Sequence, residues 1–153
     1  NLLTLGLKKG DRLGVVLPNT YEYVITLFAS AMIGVILVPF DFEFESNEFH
    51  HALLKVEPNA IIIYNSFMTK KIFENNFPQV NRFYKGNFIS SEYPSIKNII
   101  IVNDHENQNA FEFSSQNVYF FSELENLLLN DIQQHEFPRV DSDDVLMILF
   151  TVF

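Results

Sequence analysis

The chain has 153 residues, of which 48% are hydrophobic, and a formal net charge of −9 from 10 basic and 19 acidic residues. This length predicts one domain or part of one, and the apolar content excludes a disordered chain. The acidic balance argues against a nucleic-acid partner and against binding to anionic membrane surfaces. The chain has no cysteine, which excludes disulfides and thiolate metal sites but leaves the compartment open.

The first organised stretch predicts a strand, a helix and a second strand. Arg12–Leu17 is short and apolar, and the turn that follows contains Asn19, a predicted helix N-cap, with Glu22 completing a capping box. Gly34 ends the helix, and Val35–Val38 is the next predicted strand. The helix carries apolar side chains at helical spacing, namely Val24, Leu27, Phe28, Ala31 and Met32. Two parallel strands joined by a helix form a right-handed βαβ unit.

The same stretch offers a membrane alternative. From Tyr23 to Phe40 the chain is uncharged, and this run reaches the roughly 18 residues of a transmembrane candidate. However, Gly34 and Pro39 interrupt it, and its second part is β-branched. A buried helix followed by a buried parallel strand has the same hydropathy, so we expect no transmembrane span.

The remainder of the chain predicts further strands and helices in alternation. Strands are predicted at Ala60–Tyr64, Asn98–Val102, Val118–Phe121 and Val145–Phe150. Helical segments are predicted at Asn1–Leu7 (a helix end), Ser46–Val56 (apolar at Phe49, Leu53, Leu54 and Val56), Phe67–Phe77 (buried at Phe67, Ile72 and Phe73) and Ser122–Leu129. Ser46 and Ser122 are the predicted N-caps, the second with Glu125 in a capping box. Loops are predicted at Asp41–Glu45, Gln79–Lys97 (a long surface connection), Asn103–Asn117 and His135–Asp144.

Strands that alternate with helices predict an α/β fold with a mostly parallel, doubly wound sheet. In such sheets, ligands bind beyond the carboxyl ends of the strands. These ends are Pro18–Thr20, Asp41–Ser46, Asn65–Ser66, Asn103–His105 and the residues after Phe150.

Few residues suggest chemistry of their own. The sequence contains no Gly-x-Gly-x-x-Gly or Walker motif and no Gly-x-Ser-x-Gly nucleophile motif. A metal site is conceivable in an acidic cluster with imidazoles that comprises Asp41, Glu43, Glu45, Glu48, His50 and His51. We favour a solvated loop, because adjacent helical histidines point about 100° apart. His105 and His135 are predicted surface histidines, and Asp141, Asp143 and Asp144 are predicted loop residues.

Four stretches resemble, in order, the N-terminal part of the adenylate-forming (AMP-binding) enzymes, specifically the acyl-CoA synthetases. Leu5–Thr20 resembles the family's first strand and Pro-Asn turn, and Ala31–Asp41 resembles its second core motif. Ser46–Ala60 is similar to the next helix, and Asp143–Thr151 to the approach to the ATP phosphate loop. Phe67–Ile101 looks most like the medium-chain branch, the type of acyl-CoA synthetase family member 2.

The resemblance implies that ATP and Mg²⁺ activate a fatty or other carboxylic acid as an acyl-adenylate. Coenzyme A then displaces AMP to form a thioester. Thr151 alone matches the edge of the ATP-binding motif, because Val152-Phe153 stands where the family has Ser-Gly-Thr-Thr-Gly. We therefore expect residues 1–153 to be an incomplete N-terminal domain that is inactive alone, with no catalytic or metal-binding residue and no cofactor of its own.

Two alternatives remain open at this point, a catalytically dead scaffold or interaction remnant and an amino-acid adenylation domain. The resemblance implies an intracellular protein, in the cytoplasm or the mitochondrion. No signal peptide is expected within the chain. Apolar surface left without neighbours predicts self-association.

Overall fold

The computed structural model describes residues 1–41, 43–66, 72, 74–78, 80, 88–103, 117–131 (127–131 as backbone only) and 136–151. Within these ranges, five parallel strands form one sheet in the order β2-β1-β3-β4-β5. The strands are β1 (Arg12–Val16), β2 (Ile36–Pro39), β3 (Ala60–Asn65), β4 (Asn98–Asn103) and β5 (Val118–Phe120). The helices are α1 (Tyr21–Ile33), α2 (Ser46–Val56) and α3 (Phe121–Asp131). The α/β fold with a parallel, doubly wound sheet is confirmed.

Side chains of β1 alternate between two apolar cores, one on each face of the sheet. Leu13 and Val15 belong to the core that also contains Phe121 of α3 and packs against Leu27 of α1. Val16 belongs to the opposite core, with Phe49 of α2. Helices therefore cover both faces, which explains why the strands read as continuous apolar runs rather than alternating ones.

The first helix ends as predicted, because Gly34 adopts the left-handed conformation with φ 67°. The predicted helix starts are wrong. Thr20, not Asn19, precedes α1, and its side chain makes no capping bond. With Thr20 before the helix, Glu22 is the second helical residue rather than the third that a capping box uses, and it is buried.

The other two predicted N-caps are also shifted. Glu45 caps α2 and forms a reciprocal capping box with Glu48, so that Ser46 is the first helical residue. The helix α3 begins at Phe121, where the Glu123 carboxylate accepts the backbone N–H of Phe120 at 2.8 Å. At both helix starts a carboxylate accepts a backbone N–H, and a negative charge at this end also interacts favourably with the helix dipole.

Two predicted segments differ in kind, whereas the helix end predicted at Asn1–Leu7 is confirmed. Leu5 N–H donates to the Asn1 carbonyl at 3.1 Å and Leu7 N–H to the Leu2 carbonyl at 3.2 Å, and Gly6 adopts the left-handed conformation with φ 83° that closes a helix. The described part of the predicted surface connection, residues 88–97, packs into the core and buries Phe88, Tyr93 and Ile96. Around Met147 there is a single parallel bridge to Leu37 instead of a strand over Val145–Phe150. Leu146 and Leu149 are exposed, so the segment is only partly packed against the sheet.

Several predictions fall wholly or partly on residues outside the described ranges. Of the predicted helix Phe67–Phe77, residues 72 and 74–76 are helical and Ile72 is buried, while Phe67 and Phe73 lie outside. Most of the loop Asn103–Asn117 lies outside, and so do His105 and His135.

Gly14 offers a direct test of the packing between β1 and the aromatic cluster on the α2 side. A Cβ at this position would lie 2.7 Å from Cε2 of Phe40 and 3.3 Å from Cγ1 of Ile61. The Phe40 ring is held by Phe49 and Phe150, with ring centroids at 5.2 Å and 5.6 Å. We expect Gly14→Ala to lower the free energy of unfolding in urea by about 1–3 kcal/mol, the usual cost of overpacking.

A second substitution separates this clash from a general intolerance of the strand. Phe40→Leu in the Gly14→Ala background should recover part of the loss, because the two positions are in contact and couple. An unchanged unfolding midpoint in Gly14→Ala would contradict the packing described here.

Candidate functional site

The carboxyl edge of the sheet is the place where this fold can hold a ligand. In the order β2-β1-β3-β4-β5, the connections from β1 and β3 leave in different directions, which opens a crevice between these strands. Pro18–Thr20 follow β1 at this edge, and Ser66 follows β3. At the end of β3, Asn65 Nδ2 donates to Asn103 Oδ1 at the end of β4 at 3.1 Å, and this hydrogen bond joins the two strand ends. Three of the predicted strand ends thus meet at one edge.

A small pocket opens at the ends of β4 and β5. It has a volume of about 180 Å³, and its lining includes Glu22, Asn103 and Ser122. This volume is below the roughly 300 Å³ at which ligand pockets begin. Glu22 is 2% exposed, and the residues that line the pocket include this acidic residue but no lysine or arginine. This pocket therefore does not suit a nucleotide.

Thr151, the predicted edge of the ATP-binding motif, lies on the α2 side of the sheet. It is exposed and lines an open groove of about 740 Å³ together with Arg12, Lys55 and Glu57. Arg12 is already engaged, since its Nε donates to the Val56 carbonyl at 2.5 Å and its Nη2 to the Glu57 carbonyl at 2.9 Å. Lys55 is the remaining cation in the lining.

Three kinds of contact position the segment that leads to Thr151: a pair of backbone hydrogen bonds, a ring stack and an ion pair. Leu37 N–H donates to the Leu146 carbonyl at 3.1 Å, and Ile148 N–H donates to the Leu37 carbonyl at 2.9 Å. Phe150 stacks on Phe40 with ring centroids at 5.6 Å, at the carboxyl end of β2. The third contact is an ion pair further back in the segment.

This ion pair joins Lys9 to the acidic loop before Met147. Lys9 Nζ lies 2.6 Å from Asp144 Oδ2 and donates to the Arg139 carbonyl at 3.0 Å. The hydrogen bond from Lys9, with another from the Asp141 backbone, holds the pKa of Asp144 below its ordinary 3.8. The same bond raises the pKa of Lys9 above 10.5. The predicted loop residue Asp144 is therefore an anchor.

The acidic loop after β2 makes its described hydrogen bonds within the loop and at the start of α2. Asp41 Oδ1 accepts the Glu43 N–H at 2.9 Å, and Glu45 and Glu48 cap the helix. Across the described ranges, no group of three histidine, aspartate or glutamate side chains is placed to hold a metal ion. The predicted solvated-loop role fits these contacts.

His50 belongs to a buried polar network that the sequence did not indicate. Tyr93 Oη donates to Asn76 Oδ1 at 2.8 Å, and Asn76 Nδ2 donates to the Ile72 carbonyl at 2.8 Å and to Ser46 Oγ at 3.2 Å. Tyr93 has one proton to donate, so His50 Nδ1, at 2.7 Å, must carry the proton in their contact. Glu92 Oε1 lies 3.4 Å from the same nitrogen.

Burial, and to a lesser degree the charge of Glu92, raises the pKa of Tyr93 to about 12. The phenol therefore stays protonated and keeps its bond to Asn76. The network ties the start of α2 to the segment that enters β4. No spacing rule links residues 46, 76 and 93, so the sequence carried no signal for it.

Two groups in the groove that Thr151 lines could contribute to phosphate binding. Thr151 supplies a hydroxyl and Lys55 a charge, but phosphate sites of this kind use a run of backbone N–H groups at a loop and a helix start. None of the described residues near Thr151 forms such a run.

Comparison with known proteins shows the family to which the chain belongs. A model of the AMP-binding enzyme family matches residues 1–152. The chain belongs to the AMP-binding enzymes. Bovine mitochondrial medium-chain acyl-CoA ligase ACSF2 is 35% identical over 107 residues, which is 68% of this chain and 17% of the relative. The zebrafish (Danio rerio) protein of the same name is 33% identical over 108 residues, covering 69% and 18%.

Solved structures of related proteins share the fold of this AMP-binding chain. Coronafacic acid ligase from Pectobacterium brasiliense aligns with a TM-score of 0.68 and 17% identity, over 97% of this chain and 25% of that one. Acetoacetyl-CoA synthetase from Streptomyces lividans aligns with a TM-score of 0.66 and 18% identity, over 98% and 21%. The chain thus spans about a fifth to a quarter of the length of these proteins. No helix among its described residues is long and apolar enough to cross a bilayer.

The Lys9–Asp144 ion pair should control how firmly the segment before Thr151 is held. We expect Asp144→Asn to accelerate hydrogen exchange of the Ile148 amide severalfold at neutral pH and low salt. Asp143→Asn is the matched control, since the hydrogen bond described for Asp143 is a 3.4 Å contact with Ser142. Equal exchange in the two variants would contradict the anchor.

The pH dependence of the anchor follows from the two pKa shifts. The pKa of Asp144 is lowered in the folded chain, so its contribution is complete above about pH 3.8 and is lost as pH falls through the lower, folded pKa. The pKa of Lys9 is raised, so its contribution is lost as pH rises through the folded pKa above 10.5. Ile148 exchange, corrected for the intrinsic pH dependence, should increase at both extremes, and added salt should weaken the pair.

The buried network can be tested at Tyr93. Tyr93→Phe leaves Asn76 Oδ1 buried without its donor, and we expect the free energy of unfolding in urea to fall by about 1–3 kcal/mol. His50→Ala removes the half-exposed outer end of the network and should cost less. A Tyr93→Phe variant as stable as the parent would show that the network does not hold these segments.

Proposed function

We propose that this chain forms the N-terminal part of the sheet on which an acyl-CoA synthetase activates a carboxylic acid. ATP and Mg²⁺ would serve the first reaction, which forms the acyl-adenylate, and coenzyme A would accept the acyl group in the second. The observation that carries the proposal is the match of residues 1–152 to the AMP-binding family together with 35% identity to a medium-chain acyl-CoA ligase. A medium-chain fatty acid is therefore the proposed substrate class, and an intracellular location is proposed with it.

Within that sheet we propose a structural role for most of the chain. The βαβ unit around β1 and the capped start of α2 shape the carboxyl edge, where doubly wound sheets bind ligands. Thr151 is proposed to lie at the entrance to the phosphate-binding loop. Its support is the resemblance of Asp143–Thr151 to the approach to that loop and the three kinds of contact that position this segment. No other described residue is proposed to contact ATP, and none is proposed to be catalytic or to bind a metal.

The proposed structural role predicts that the 153-residue chain alone is inactive. We expect no heat of ATP binding in the micromolar range by calorimetry and no carboxylate-dependent exchange of pyrophosphate into ATP. The reason is that the chain has no phosphate-binding run of backbone N–H groups among its described residues. Micromolar ATP binding or measurable exchange by the isolated chain would contradict the proposal.

A chimera tests the proposed activity itself. The matched 107-residue stretch of bovine ACSF2 is replaced by the aligned residues of this chain, and octanoyl-CoA formation is measured. We expect activity above that of the isolated chain and its loss when ATP or coenzyme A is omitted. A chimera that is folded by circular dichroism but forms neither octanoyl-adenylate nor octanoyl-CoA would favour the inactive scaffold instead.

A further inference from the structure

We draw no further inference here: the strongest candidate, the apolar cavity of about 150 Å³ between α1 and α3 that Ile25, Ala29 and Leu124 line, is an unpartnered apolar surface, and nothing in the structure shows what covers it.

Discussion

The central position of β1 is the constraint on which the rest of the structure depends. This strand is hydrogen-bonded to β2 on one side and to β3 on the other, in parallel register on both. Its side chains are buried in a core on each face of the sheet, and α1 and α2 lie on opposite sides to cover them. The same placement opens the crevice at the carboxyl edge. Gly14 is part of this constraint, since the Phe40 ring occupies the space that a side chain would take.

The sequence predicted the strands well because a buried parallel strand leaves a local signal, a short apolar run between breakers. Its predictions of helix ends and of which side of a helix is buried were poorer. Asn19 and Ser46 were plausible N-caps. The observed N-caps are Thr20 and Glu45, because the path of the chain after the preceding strand decides which residue begins each helix. The apolar stripe of α1 was equally visible in sequence, yet which side of this helix is exposed depends on how it packs on the sheet beneath it.

The candidate site was predictable only in outline. Parallel topology places the strand ends together, so Asn65 and Asn103 could be expected at one edge, and their hydrogen bond follows. The network of His50, Tyr93 and Asn76 could not be expected, because its members lie on three segments far apart in the chain. Asp144 was predicted to be a solvated loop residue, because no local pattern indicates its pairing with Lys9. These two residues are even further apart in the sequence than the members of the network. Family membership came from the order of several weak motifs, not from any single residue.

The strand order also has a consequence for how the chain folds during synthesis. The first 65 residues contain β1 and both of its neighbours, so the middle of the sheet can assemble before the rest of the chain has been made. Afterwards β4 pairs with the free side of β3, and β5 with the free side of β4, each on an edge that already exists. Synthesis proceeds from the amino terminus at about 5–20 residues per second, slowly enough for each strand to find its place in turn. The segment at Met147 is the exception. It pairs with β2, at the opposite edge of the sheet from β5, and so adds last to an edge that was among the first to form.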